Sequence, residues 1–154
     1  MMTNPDSFKA KWAPRLLSLL RIVAGFLLLQ HGIQKVFGLL VPTPQPGAPS
    51  SHGTFSMLSL MGVAGILELV GGLLILLGLF TRPVAFILSG LLAVAYFMSH
   101  APGGFWPILN RGELAALYSF VFLYLSAAGG GEWSLDRLLR RDAPSSGSNT
   151  YGLP

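Results

Sequence analysis

The chain has 154 residues and carries only 10 Lys or Arg and 6 Asp or Glu, where a soluble domain of this length holds roughly 38 charges. Hydrophobic residues make up 52%, glycine adds 19 further positions, and mean hydropathy is +0.61, so the polar skin of a water-soluble globule cannot be built. The net charge of +4 is spread thinly, without a basic stripe, which excludes disorder and nucleic-acid binding. The absence of cysteine excludes disulfides, thiolate metal sites, CxxC redox chemistry and a Cys nucleophile.

A spanning helix needs about 20 mostly apolar residues, because bilayer hydrocarbon cannot satisfy a bare backbone. After a short segment 1–15, the first such stretch runs over about 16–40. Val41 to Gly53 follows, with four prolines, two glycines and no formal charge, and reads as an external loop. The second stretch covers about 57–80. Thr81-Arg82-Pro83 then makes a tight turn, with the proline opening a third stretch over 83–101. Pro102, Gly103, Gly104 and Pro107 mark the next link, around an interfacial Phe105-Trp106 pair. The fourth stretch spans 113–130 and stops at Gly129-Gly130-Gly131. Residues 132–141 form a short amphipathic helix capped by Ser134, with Leu135, Leu138 and Leu139 towards lipid and Arg137, Arg140 and Arg141 towards head groups. The tail 142–154 is rich in Ser, Gly and Pro and reads as disordered.

The expected fold is therefore all-α: an integral membrane four-helix bundle over 16–131 with a short C-terminal amphipathic helix. Lys9, Lys11, Arg15, Arg82, Arg137, Arg140 and Arg141 fall on one side of it, against Arg111 alone on the other. That bias places both termini in the cytoplasm. A cleaved signal peptide does not fit the first stretch, which is too long and is interrupted by polar residues.

Ionisable groups inside spanning helices cost about 2.5–3.5 kcal/mol each on insertion scales, so each needs a reason. At 100° per residue, Arg21, Leu28, His31 and Lys35 share one arc of the first helix. Glu68 lies among Ala64, Gly65, Gly71 and Gly72, small residues that let another backbone approach. It falls near the midplane, and pairing with His31 or Arg21 would satisfy it. His100, with Tyr96 one turn below, ends the third helix, and Arg111 and Glu113 start the fourth. These residues predict a polar funnel entering from the external side, with Lys35, His100, Arg111 and Glu113 at its mouth above His31 and Glu68. Structural readings stand beside it. Snorkelling accounts for Lys35 and Arg21, the helix macrodipole accounts for Glu113, and a Glu68 ion pair can serve only to fix helix register. His52 reads as a solvated loop residue, and Trp12, Phe105, Trp106 and Trp133 as interfacial aromatics. The helical ligand pairs of metal sites, phosphate-cradling loops and nucleophile elbows are absent from the sequence, so no metal is expected. His and Glu are left as the proton carriers.

Arg21, Gly25, His31-Gly32, Lys35 and Phe37-Gly38 resemble the first-helix signature of the DoxX family of small bacterial membrane proteins. Glu68-Leu69-Val70-Gly71-Gly72, with Gly78 to Arg82, resembles the second. Gly112-Glu113-Leu114 and Gly131 to Asp136 resemble the later landmarks, so the likeness extends in order over roughly 15–140. It implies a multi-pass protein of the bacterial cytoplasmic (inner) membrane. Some DoxX members are subunits of thiosulfate:quinone oxidoreductase, and others are linked to redox complexes with superoxide dismutase and a sulfurtransferase. The reading that follows is a redox-associated subunit of a quinone-linked oxidoreductase, binding a quinone or other small amphipathic molecule in the funnel. In it, His31 and Glu68 handle protons, while Arg21, Lys35, Tyr96, His100 and Glu113 bind substrate. Redox partner proteins, the lipid bilayer and further copies of the chain are the expected partners. The alternative is a non-catalytic membrane anchor or assembly subunit, whose polar stripe is structural and whose basic C-terminal helix recruits a cytoplasmic partner. A small transporter is the weakest reading, since no span is broken.

Overall fold

The computed structural model describes residues 5–40 and 59–141. The Pro-rich loop and the Ser/Gly tail lie outside the described residues. Six α-helices follow one another: α1 (Pro5–Phe37), α2 (Leu60–Leu77), α3 (Thr81–Ala95), α4 (Pro107–Asn110), α5 (Glu113–Ala128) and α6 (Leu135–Arg141). There is no strand among the described residues. The protein is an all-α membrane bundle. Residues Phe8–Phe37, Leu60–Leu77 and Thr81–Gly103 are long and apolar enough to cross a bilayer, whereas α5 is apolar but shorter.

Two antiparallel hairpins make the bundle: α1 packs on α2, and α3 packs on α5. The first is held close by glycine. A Cβ on Gly25 would lie 2.6 Å from the Leu76 amide nitrogen, and one on Gly72 would lie 2.8 Å from that of Leu29. Spaced seven apart on each helix, Gly25 and Gly32 on α1 and Gly72 and Gly65 on α2 line one seam, so the register of α1 against α2 is fixed over about three turns. The two hairpins meet where Leu88 of α3 covers Gly71 of α2. Ala24, Leu28, Ile75, Ala85, Leu88, Leu92, Phe122 and Leu125 fill the centre. Outward faces carry exposed Val23, Phe26, Val70, Phe86, Ile87 and Phe120, an apolar surface of the kind that faces lipid.

The helix ends follow local chemistry. α1 begins well before residue 16, because the charged residues from Lys9 to Arg15 need only lie beyond the hydrocarbon, not outside a helix. At Ser59 the side chain caps α2, accepting from Gly62 N at 3.0 Å. Gly78, at φ 71°, closes the same helix, with Gly78 N to Ile75 O and Leu79 N to Leu74 O both at 3.0 Å. α3 starts at Thr81, two residues before Pro83. Its far end is not regular. Tyr96–His100 forms a π turn, closed by Ala101 N donating to Tyr96 O, and a 3₁₀ turn follows over Ala101–Gly103.

Candidate functional site

A cavity of about 250 Å³ opens where α1 and α3 finish and α5 begins. His31, Lys35, Glu68, His100 and Arg111 line it together with apolar Leu28, Leu92 and Leu114 and the ring of Tyr118. The glycine seam sets Glu68 level with the turn of α1 between His31 and Lys35. Lys35 Nζ donates to Glu68 Oε1 at 2.6 Å, with side-chain exposures of 28% and 3%. The partner of Glu68 is thus Lys35 rather than His31 or Arg21, because the register carries Arg21 towards the other end of α2. Gly65 leaves room for this pairing, since a Cβ there would lie 3.0 Å from Lys35 Cβ. The second carboxylate oxygen, Glu68 Oε2, is buried without a hydrogen-bond partner among the described residues.

His100 reaches the cavity because of the π turn. In an unbroken α-helix Ser99, seven residues after Leu92, would share its face; the additional residue of the turn brings His100 there instead. Asn110 then fixes the ring. Its carbonyl lies 3.1 Å from His100 Nδ1, and a carbonyl only accepts, so Nδ1 carries the proton and Nε2 stays available. The Asn110 side chain also holds Gly104 O at 2.8 Å, Gly112 N at 2.8 Å and the Tyr96 hydroxyl at 3.4 Å. Tyr96 stacks on His100 with centroids 6.3 Å apart, so it touches the cavity through that ring. Glu113 is exposed and borders a shallow surface depression with Ile108 and Leu117. Two fixed cations and two imidazoles stand against one carboxylate, so the cavity favours a ligand with acceptor oxygens.

Beside this cavity lies an apolar groove of about 280 Å³ between α2 and α3, walled by Leu60, Met61, Leu91, Val94 and Met98. Lys35, Ala95 and His100 belong to both spaces. A polar chamber and a lipid-like groove are therefore contiguous. The sequence matches the DoxX family over residues 16–101. The chain belongs to the DoxX family. An uncharacterized protein of Haemophilus influenzae is 44% identical to this DoxX protein over 129 residues, covering 82% of this chain and 92% of that one. An uncharacterized membrane protein of Mycobacterium tuberculosis is 32% identical over 142 residues, 84% of each chain. A second Haemophilus influenzae protein is 33% identical over 78 residues, about half of each. No solved structure matches.

Arg21 of the DoxX chain lies away from the cavity, fully buried at the opposite end of the bundle. Its Nη1 donates to Ile75 O at 2.5 Å and Leu76 O at 2.6 Å, Nε to Gly130 O at 2.8 Å, and Nη2 to Trp133 O at 2.8 Å. Four of its five N–H groups thus end on backbone carbonyls, two of them at the C-terminus of α2, where a cation is favoured. Sequence reasoning did not single out Asn110 or Tyr118. Asn110 gives a signal in retrospect: Asn-Arg-Gly after a proline-started turn is loop chemistry, in which an Asn side chain holds the backbone two residues on. Tyr118 gives none, since a tyrosine on the buried face of an apolar helix reads as core.

Proposed function

We propose that this DoxX protein is a redox-associated membrane subunit that binds a quinone or similar amphipathic molecule, head group in the polar cavity and apolar tail in the adjoining groove. The observation carrying this reading is the buried Glu68, held by Lys35 through one oxygen and bordering the cavity with the other unpartnered. An unpaired buried acceptor costs about 1–3 kcal/mol, a cost that a ligand hydroxyl removes. Lys35 and Arg111 supply donors to carbonyl oxygens, the free Nε2 of His100 accepts from a ligand hydroxyl, and Glu68 with His31 moves the protons that accompany reduction. The electrons come from a redox partner protein. At about 250 Å³ the chamber is near the lower end of ligand pockets, roughly 300–1,000 Å³, which suits a single ring with its tail outside.

In this reading the protein sits in the bacterial cytoplasmic membrane, with both termini in the cytoplasm and the cavity facing outward. The chain lacks cysteine, so single-cysteine variants report topology cleanly. A thiol at Ser145 should be protected from impermeant reagents in intact cells, and one at Phe105 should be labelled.

The site itself is tested by purification in native lipid, with mass spectrometry and absorbance used to find a stoichiometric small molecule. A quinone bound to wild type and absent from Glu68→Gln supports the reading. Clean protein carrying only bulk lipid overturns it in favour of an anchoring subunit. That second reading has its own observation: α6 is tied back to the bundle, with Asp136 N donating to Gly78 O at 2.9 Å, as a fixed platform for a cytoplasmic partner would be.

A further inference from the structure

At the end of the bundle away from the cavity lies a second cleft, of about 300 Å³, lined by Arg82 from the start of α3, Arg137 and Arg140 from α6, the glycine run 129–131, and Pro14 and Leu17 of α1. Three arginines line it, and their charge is poorly matched among the described residues. The carboxylate at its edge, Asp136, has both oxygens occupied: Oδ1 accepts from Phe80 N at 2.7 Å and Oδ2 from Thr81 N at 2.8 Å. Arg137 touches Glu132 only at 4.0 Å, and Glu132 is already held by Arg15 at 3.1 Å. Neither Arg82 nor Arg140 enters an ion pair among the described residues. Three like charges converging on one space repel unless an anion joins them, and the guanidinium fork matches two phosphate oxygens at once.

The level of the cleft indicates which anion. Trp133, Leu138 and Leu139 beside it are exposed, as expected of a helix lying in the head-group region. Leu17 and Ala128 continue its wall along the apolar flank of the bundle. We propose that the cleft binds the phosphodiester of an anionic phospholipid, with Arg82, Arg137 and Arg140 as its ligands and an acyl chain running over Leu17. A zwitterionic lipid brings a phosphate too, but its ammonium group would add a fourth cation to the three already there.

The full chain in neutral detergent is titrated with phosphatidylglycerol, phosphatidylcholine or inorganic phosphate, and bound lipid is read by native mass spectrometry. Phosphatidylglycerol should be retained in preference to phosphatidylcholine, with affinity falling roughly fivefold for each arginine changed to glutamine. The Lys9→Gln/Lys11→Gln pair, on the same side but outside the cleft, should leave retention unchanged. Arg140→Gln keeps the test valid if Arg82→Gln or Arg137→Gln unfolds, because Arg140 is exposed and has no ion-pair partner among the described residues. Equal retention of the two lipids overturns the proposal, as does an equal effect of the lysine pair. Displacement of phosphatidylglycerol by inorganic phosphate at matched concentration would mark a soluble-anion site and overturn the lipid assignment.

Discussion

The two ends of the α1–α2 hairpin bury opposite charges and treat them differently. At one end Arg21 donates four hydrogen bonds to backbone carbonyls from α2 and from the segment before α6. Asp136 answers it from the other side of the 78–81 turn, capping α3, which has no side-chain cap of its own. The cation sits at a helix C-terminus and the anion at a helix N-terminus, so each is matched to the backbone dipole it meets. Nearby, Ser18 Oγ donates to Pro14 O at 2.9 Å and accepts from Trp133 N at 3.0 Å. At the other end Glu68 has one partner for two oxygens, and His31, His100 and Arg111 share its cavity. Arg21, Asp136 and Ser18 are saturated and make a lock, although Thr81 Oγ1 beside them is buried without a partner among the described residues. Groups left with capacity facing a cavity make a site.

Breaking the lock should have the largest effect on stability. Arg21→Ala leaves four carbonyls without their donor and should cost about 3–5 kcal/mol, read as loss of the thermal or denaturant transition in detergent. Arg21→Lys should rescue little, because an ammonium cannot span four carbonyls on two segments. Next comes Asp136→Ala, which removes two charge-assisted caps and should cost roughly 1.5–3 kcal/mol while leaving any bound quinone in place. If it empties the cavity as well, the two ends are not independent and the contrast between them fails.

This division was only partly legible in the sequence. Four apolar stretches, the Thr81-Arg82-Pro83 turn, the glycine run that ends α5 and the glycine faces made the helices and their order legible, because hydrophobic length and small-residue spacing are local signals. Arg21 on the same helical arc as His31 and Lys35 suggested one continuous site. Angular position does not report depth against a partner helix, and the Gly25–Leu76 and Gly72–Leu29 contacts decide that Arg21 meets the end of α2 and not Glu68. The capping role of Asp136 joins residues 55 and 56 positions apart, beyond any local pattern. The π turn at Tyr96–His100 was likewise unreadable, since a run of helix-compatible residues does not announce one extra residue in a turn.

A smaller effect is expected at Asn110, which positions the cavity rim without lining the cavity. Asn110→Ala removes the side-chain bonds to Gly104 O and Gly112 N and should cost about 1 kcal/mol. If the rim orients His100, ligand affinity should fall more than stability does, and Asn110→Asp should recover part of it by keeping an acceptor for Gly112 N. An affinity that tracks stability alone would make Asn110 a loop residue and nothing more.

The smallest change in stability should come from Glu68→Gln, and it is the most informative. Glutamine keeps the shape of the side chain and an acceptor oxygen for Lys35 Nζ, so the pin between α1 and α2 survives as a hydrogen bond. The negative charge is lost, and an amide NH₂ takes the place of an oxygen that had no partner. Were the Glu68–Lys35 pair there only to hold register, neutralising one member should shift the unfolding transition and leave ligand content unchanged. As part of a proton-handling site, it should shift stability by less than about 1 kcal/mol while ligand occupancy falls at least about tenfold, the equivalent of about 1.4 kcal/mol. Measuring both quantities on the same preparation separates the cases, and Lys35→Met supplies the control: it leaves the carboxylate buried with no partner, so it should destabilise the protein under either account.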